Sequence, residues 1–277
     1  MKTLRLPSGR TIPVLGQGTW KMGESRAQRQ NEIAALRYGI DRGITLIDTA
    51  EMYGEGSAEQ VVAQAIADRR TEIFLVSKVY PHNATRQGAI AACERSLRRL
   101  QTDYLDLYLL HWRGSVPLVE TLEAFQSLQQ SGKIRDYGVS NFDLADMKEA
   151  SGLTAGATIA TNQVLYNLMR RGIEWDLLPW CCTHDLPIMA YSPIEQGRLL
   201  RHQVVQELAQ RRGISPATLA IAWLLHQDNA IVIPKSSSTE HVEQNLAALD
   251  ERLTVEELTA LDIAFPPPSQ HAALEML

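Results

Sequence analysis

The chain has 277 residues, 45% of them hydrophobic and 21% charged, with a formal net charge of −5. This composition suits a globular protein with enough chain for a large core, and the acidic balance argues against the basic footprint of a nucleic-acid-binding protein. Apolar runs stay far below the roughly 20 residues that span a bilayer, and Met1 to Val14 carries no leader-like apolar region or cleavage signal. A small-molecule or protein partner and a cytoplasmic location, with no membrane or nucleic-acid partner, are expected. Cys93, Cys181 and Cys182 are an odd set that includes an adjacent pair. That argues against a disulfide framework and fits a reducing compartment. The helix-like surroundings of Cys181-Cys182 favour a structural role for the pair over a redox switch.

Taken in chain order, Leu4 to Val14 reads as a hairpin around the turn Pro7-Ser8-Gly9-Arg10. Strand-like and helix-like segments then alternate. The strand candidates are Leu15–Gly18, Ile44–Asp48, Ile73–Lys78, Tyr104–His111, Ile134–Ser140, Thr158–Gln163, Pro187–Tyr191 and Ala230–Pro234. Several are nearly continuous apolar runs, as in Ile73-Phe74-Leu75-Val76, which suits parallel strands buried on both faces. Between them, Ala58, Val61, Val62, Ala65 and Ile66 share one helical face. So do Ile90, Cys93, Leu97 and Leu100, and again Leu118, Leu122, Phe125 and Leu128. Ser25-x-x-Gln28, Ser57-x-x-Gln60 and Thr254-x-x-Glu257 read as capping boxes. Ser215-Pro216 places a capping serine before a first-turn proline. Pro266-Pro267-Pro268 opens an irregular tail.

Alternating strands and helices imply a parallel α/β protein. Asp48, Lys78, His111, Asn141, Gln163, Tyr191 and Lys235 each fall at or just past the C-terminal end of a different strand candidate. In an open doubly wound sheet those ends spread along a line and few would border one crevice. In a barrel they converge on the mouth that carries the active site. The expected fold is a (β/α)8 TIM barrel with an N-terminal β-hairpin and a short C-terminal tail, as one domain over residues 1–277.

Gly16-x-Gly18 has Lys21, and Gly54-x-Gly56 has Glu59, where a dinucleotide fingerprint needs its third glycine. Walker A and zinc-ligand spacings are missing too, so no metal is expected. The chemistry falls instead to Asp48, Tyr53, Lys78 and His111. A phenol is a poor acid near neutral pH, with an ordinary pKa of about 10. A neighbouring ammonium such as Lys78 should lower that value, with Asp48 as its counter-charge. His111 can hydrogen-bond and orient a substrate carbonyl. Together these groups suit general-acid catalysis of carbonyl reduction.

The segments Leu46 to Gly54 (LIDTAEMYG), Val76-Ser77-Lys78 and Tyr104 to His111 (YLDLYLLH) resemble the catalytic segments of the aldo-keto reductase superfamily. Gly138-Val139-Ser140-Asn141-Phe142, Asn162-Gln163-Val164, Ala190-Tyr191-Ser192-Pro193 and Ile233-Pro234-Lys235-Ser236 are similar to its cofactor segments. The resemblance runs from the hairpin to the last helix. It implies an NADPH-dependent reductase with Tyr53 as proton donor, Lys78 and Asp48 as its tuning pair and His111 as the carbonyl-orienting group. It implies further that Ser140, Asn141 and Gln163 hold the nicotinamide carboxamide and that Tyr191, followed by Ser192, stacks on the ring. Lys235 and Ser236 would take the adenosine 2′-phosphate beside a helix start, with Gln244 and Asn245 near the adenine.

Where many family members carry an arginine six residues after the phosphate lysine, this chain has His241. That substitution implies a weaker NADPH preference. Trp20, Tyr80 and Trp112 are the expected substrate-pocket walls. The pattern looks most like bacterial members that reduce methylglyoxal and diketo-sugar acids, and a monomer is expected. Two alternatives stand beside this reading. One is a Schiff-base aldolase with Lys78 as nucleophile, and the other is a non-catalytic regulatory subunit that keeps the cofactor fold.

Overall fold

The computed structural model describes residues 1–277, leaving aside the side chain of residue 157. The hairpin forms as read. β1 (Thr3–Arg5) pairs antiparallel with β2 (Thr11–Pro13), and Gly9 turns the chain at φ 86°, a conformation glycine adopts without strain.

Eight parallel strands follow: β3 (Gly16–Gly18), β4 (Leu46–Asp48), β5 (Phe74–Val79), β6 (Leu105–Leu110), β7 (Ile134–Ser140), β8 (Ile159–Leu165), β9 (Ile188–Tyr191) and β10 (Ala230–Val232). They pair in sequence order from β3 to β10. Bridges of Leu15 to Val232 and Gly18 to Lys235 join the last strand to the first. The sheet thus closes into the expected barrel, and every strand matches a candidate to within a few residues. Closure is tight at Gly18, where a Cβ would lie 2.9 Å from the Ile233 carbonyl oxygen.

The helices are α1 (Arg29–Asp41), α2 (Ser57–Ile66), α3 (Arg86–Leu100), α4 (Leu118–Gln130), α5 (Leu144–Gly152), α6 (Leu177–Thr183), α7 (Gln203–Arg212), α8 (Pro216–His226), α9 (Thr239–Ala247) and α10 (Val255–Ala264). The predicted apolar faces of α2, α3 and α4 are the ones that pack inward. Thr254 and Glu257 make a reciprocal capping box on α10, and Ser215 caps α8.

The other two boxes do not form. Ser57 already has helical φ and ψ, and Gly56 before it is left-handed at φ 89°, so α2 starts without a side-chain cap. α1 starts at Arg29 with no side-chain bond from Gln28, which is itself in helical conformation. Thr85 and Asp143 cap α3 and α5 instead.

Strand alternation divides the core into two layers. Leu46, Phe74, Val76, Leu107, Leu109, Met189 and Ile231 fill the barrel interior, and the hairpin's Leu6 and Ile12 join them as a plug at its base. Arg10 fastens that plug, donating to Asp106 Oδ1 at 2.7 Å and Asp136 Oδ2 at 2.9 Å. Residues pointing outward, such as Leu75, Tyr108, Val139 and Ile188, pack beneath the helices. Cys181 is buried and Cys182 half-buried, both as free thiols. Burial pushes the Cys181 thiol up to about 12 and raises Cys182 as well, which suits a structural role better than redox chemistry. Among the described residues, no helix is long and apolar enough to cross a membrane.

Candidate active site

The residues singled out from sequence converge at the mouth of the barrel. Asp48 ends β4, Lys78 lies near the end of β5, and His111 follows β6. Tyr53 sits on a 3-10 turn (Tyr53–Gly56) that carries the chain from β4 into α2. In that turn Gly54 and Glu55 are left-handed, at φ 55° and 53°, and the fold holds the tyrosine against Lys78.

Lys78 is fully buried at 0% exposure, and all three of its ammonium donors find acceptors. Its Nζ donates to Asp48 Oδ2 at 2.7 Å, to the Thr49 carbonyl at 2.9 Å and to Tyr53 Oη at 3.2 Å. Burial pulls the ammonium pKa down, but Asp48 and Tyr53 outweigh it and leave Lys78 above its ordinary value. Burial pushes the Tyr53 phenol up, and Lys78 draws it only part of the way back. The expected lowering of the Tyr53 pKa is therefore not what the pair produces. Lys78 acts in the expected direction, and the depth of the site is the larger effect. The phenol stays protonated at neutral pH, as a proton donor requires.

Burial, with Lys78 adding to it, pulls His111 down to about 2, so its imidazole is neutral. Its Nδ1 is buried with no hydrogen-bond partner among the described residues. The ring stands edge-on to Tyr53, with centroids 5.8 Å apart. Trp112 lies 5.0 Å from His111 and 5.8 Å from Tyr80, centroid to centroid. The half-buried Tyr80 and Trp112 and the exposed Trp20 are mouth residues and not core.

Ser140, Asn141, Gln163 and Tyr191 form one connected set. Ser140 Oγ donates to the Gln163 carbonyl at 2.8 Å, and Asn141 Nδ2 donates to the His111 carbonyl at 3.0 Å. Tyr191 Oη donates to Asn141 Oδ1 at 2.9 Å. Asn141 is left-handed at φ 57° and Ser192 at φ 51°. Such strain gathers where a fold over-determines a functional site.

Around the rim, Lys235 is exposed, and among the described residues its side chain makes a single hydrogen bond, a 3.4 Å contact to Ser237 Oγ. Ser236 Oγ bonds the backbone of Ser238, the residue before α9. A solvent-facing lysine amid hydroxyls at a helix start is chemically suited to a phosphate. His241 is exposed on α9, Gln244 is half-buried and Asn245 is buried.

Some contributors were not picked out from the sequence. Glu51 is buried and accepts from the Tyr80 amide at 2.9 Å and from Asn83 Nδ2 at 3.0 Å, tying the loop after β4 to the loop after β5. Its place inside the Asp48–Tyr53 segment was the only available signal. Among the described residues, no group of three or more His, Cys, Asp or Glu side chains is arranged to hold a metal.

Residues 14–265 match the profile of the Aldo/keto reductase family. The chain is 52% identical to methylglyoxal reductase YeaE of Escherichia coli, covering 100% of this chain and 99% of that one. It is 32% identical to a glyoxal reductase of Bacillus subtilis over 94% of this chain and 91% of that one. Among solved structures, an aldo/keto reductase from Klebsiella pneumoniae in complex with NADP and acetate superimposes with a TM-score of 0.97 at 54% identity. That match covers 100% of this chain and 99% of the other.

Proposed function

The chain belongs to the aldo/keto reductase family, and we propose that it reduces methylglyoxal and similar small, electron-poor carbonyls with NADPH. The observation that carries the reading is the fully paired, buried Lys78 that joins Asp48 to the hydroxyl of Tyr53. Bound NADPH supplies the hydride; the rest of the chemistry is a matter of positioning and proton delivery by this chain. His111, neutral and fixed beside Tyr53, hydrogen-bonds the carbonyl oxygen. Tyr53 donates its proton to the developing alkoxide, and the neighbouring ammonium of Lys78 stabilises the phenolate left behind.

Ser140, Asn141 and Gln163 hold the carboxamide, and Tyr191 with Ser192 supports the nicotinamide. Lys235 and Ser236 take the 2′-phosphate, with Gln244 and Asn245 beside the adenine. Trp20, Tyr80 and Trp112 wall the substrate side. The naming of the Escherichia coli and Bacillus subtilis relatives supports the substrate class, and the Klebsiella pneumoniae complex supports the cofactor. The reading extends to a single-domain enzyme acting as a monomer, and the free thiols suit the cytoplasm.

An aldolase would need Lys78 free to attack a carbonyl, whereas here its Nζ is fully hydrogen-bonded. Turnover of methylglyoxal with NADPH and with NADH, followed at the nicotinamide absorbance, tests the proposal. Inactivity with both cofactors across a panel of aldehydes would sink it.

A further inference from the structure

Just past Tyr191 the chain follows a course that its residue types disfavour. Ser192, Glu195 and Gln196 stand at φ 51°, 49° and 53°, and Gly197 follows at 88°. Left-handed backbone under residues with side chains persists only where the surroundings over-determine it.

The surroundings here centre on a carboxylate. Glu195 is 0% exposed, and it accepts from Asn167 Nδ2 at 2.8 Å, from Arg170 at 3.0 Å and from Arg198. The same Asn167 amide donates to the Ser192 carbonyl at 2.9 Å, so one buried side chain fixes both the start of the strained turn and its carboxylate. These partners outweigh the effect of burial and keep Glu195 ionised, below its ordinary pKa. Arg170 does not end there. Its guanidinium also pairs with Glu275 in the tail, where His271 lies 3.7 Å from Asp176 as a second contact. Between the tail and the loops after β7 and β8 is a cavity of about 610 Å3, bordered by Asn141, Arg170 and Leu274.

We propose that Glu195 is a positioning residue that holds the Ser192–Gly197 turn in shape as a wall of the dinucleotide site. Arg170, shared between Glu195 and Glu275, couples that turn to the tail. The proposal rests on the reading of Tyr191 and Ser192 as cofactor contacts. Glu195 sits on the cofactor side and Glu275 on the tail, so a ligand that steadies one group steadies the arginine for the other. Coupling of this kind is reciprocal. Cofactor binding firms the tail along the cavity it shares with Asn141, and an anchored tail slows cofactor release.

The test uses the full-length enzyme with Glu195→Gln, Glu275→Gln and the double variant, with Lys235→Ala alongside. The readouts are NADPH and NADH dissociation rates by stopped-flow fluorescence and the KM for methylglyoxal. Glu195→Gln should speed release of both cofactors roughly tenfold, since it frees one strained turn. Glu275→Gln should raise KM and speed release about threefold, and the double variant should fall short of the product of the two effects. A purely structural Glu195 would lower the melting temperature without changing either release rate. If Glu195→Gln proves too unstable for kinetics, Glu275→Gln, which leaves the turn's own contacts intact, still decides whether the tail is coupled to cofactor release. Release from Glu195→Gln within twofold of wild type, or independent effects in the double variant, would overturn the proposal. A Lys235→Ala variant that does not discriminate between the cofactors would instead count against the cofactor reading, separately from Glu195.

Discussion

Asp48 and Gln163 meet across the barrel mouth. Gln163 Nε2 donates to Asp48 Oδ1 at 2.8 Å, while Asp48 Oδ2 holds Lys78 at 2.7 Å. An ionised carboxylate only accepts, so the amide nitrogen of Gln163 must face it. A residue assigned to the cofactor carboxamide thus also steadies the counter-charge of Lys78. A hydrogen bond to a charged group is worth about 1.5–3 kcal/mol. Gln163→Leu should therefore lower kcat/KM by roughly 10- to 100-fold. Gln163→Glu should be worse near neutral pH, because a second carboxylate would face Asp48, and should recover as pH falls and the new acid protonates. A Gln163→Glu variant no worse than Gln163→Leu at pH 7.5 would count against the shared role.

Tyr53→Phe removes the hydroxyl that Lys78 contacts at 3.2 Å and leaves the ring in place. General-acid catalysis typically contributes about 10²–10⁴-fold, and turnover should fall by that order with NADPH affinity retained. Single-turnover rates within threefold of wild type would remove Tyr53 from the proton-donating role.

Much of this site was legible in the sequence because a parallel barrel turns strand ends into one surface. Asp48, Lys78, His111, Asn141, Gln163 and Tyr191 each fall at the end of a strand candidate, and the family resemblance supplies their roles. What stayed hidden depends on distance or backbone geometry. The pairing of Glu195 with Arg170 spans 25 positions and that of Arg170 with Glu275 spans 105, and no local pattern encodes either. The capping box at Ser57 failed because Gly56 takes a left-handed turn that places Ser57 already inside the helix. The direction of the Tyr53 shift depends on how deep the site lies, and residue type does not reveal depth.

His111 gives the protein an acid sensitivity that can be signed. Its pKa is pulled from 6.5 down to about 2 in the fold. Between those values the unfolded chain binds a proton that the folded chain refuses, so stability falls as pH drops below 6.5. The slope for one such group is about 1.4 kcal/mol per pH unit. Urea unfolding at pH 6.5, 5.5 and 4.5 should show His111→Gln losing less stability on acidification than wild type, by roughly that amount per unit. Parallel pH slopes for the two proteins would show that His111 is protonated in the fold.

Lys235 should separate the two nicotinamide cofactors. Among the described residues its exposed Nζ makes a single 3.4 Å contact, to Ser237, and a charge-assisted bond to a 2′-phosphate is worth roughly 1.5–3 kcal/mol. Lys235→Ala should weaken NADPH binding by that amount and leave NADH nearly unchanged. His241→Arg, which adds a permanent bidentate cation, should tighten NADPH further. Equal losses for both cofactors in fluorescence titrations would show that Lys235 does not read the phosphate.

Substrate choice follows from how few polar groups face the carbonyl. His111 and Tyr53 are the donors assigned to it, and Tyr80 and Trp112 form an aromatic edge contact beside His111. Two donors activate a carbonyl enough only if its carbon is already electron-poor, so methylglyoxal and activated benzaldehydes should be reduced well and acetone poorly. A large sugar acid would need cations for its carboxylate. Arg198 follows the β9 loop, but its guanidinium is already paired with Glu195, and Arg201 on the same stretch is exposed. A diketo-gluconate should therefore show a KM well above that of methylglyoxal. The measurement is kcat/KM for methylglyoxal, an activated benzaldehyde, acetone and the diketo-gluconate in one buffer. If acetone matched methylglyoxal, the donors would be doing more than orienting an already reactive carbonyl. If only the sugar acid turned over, the aromatic edge would not be the substrate wall.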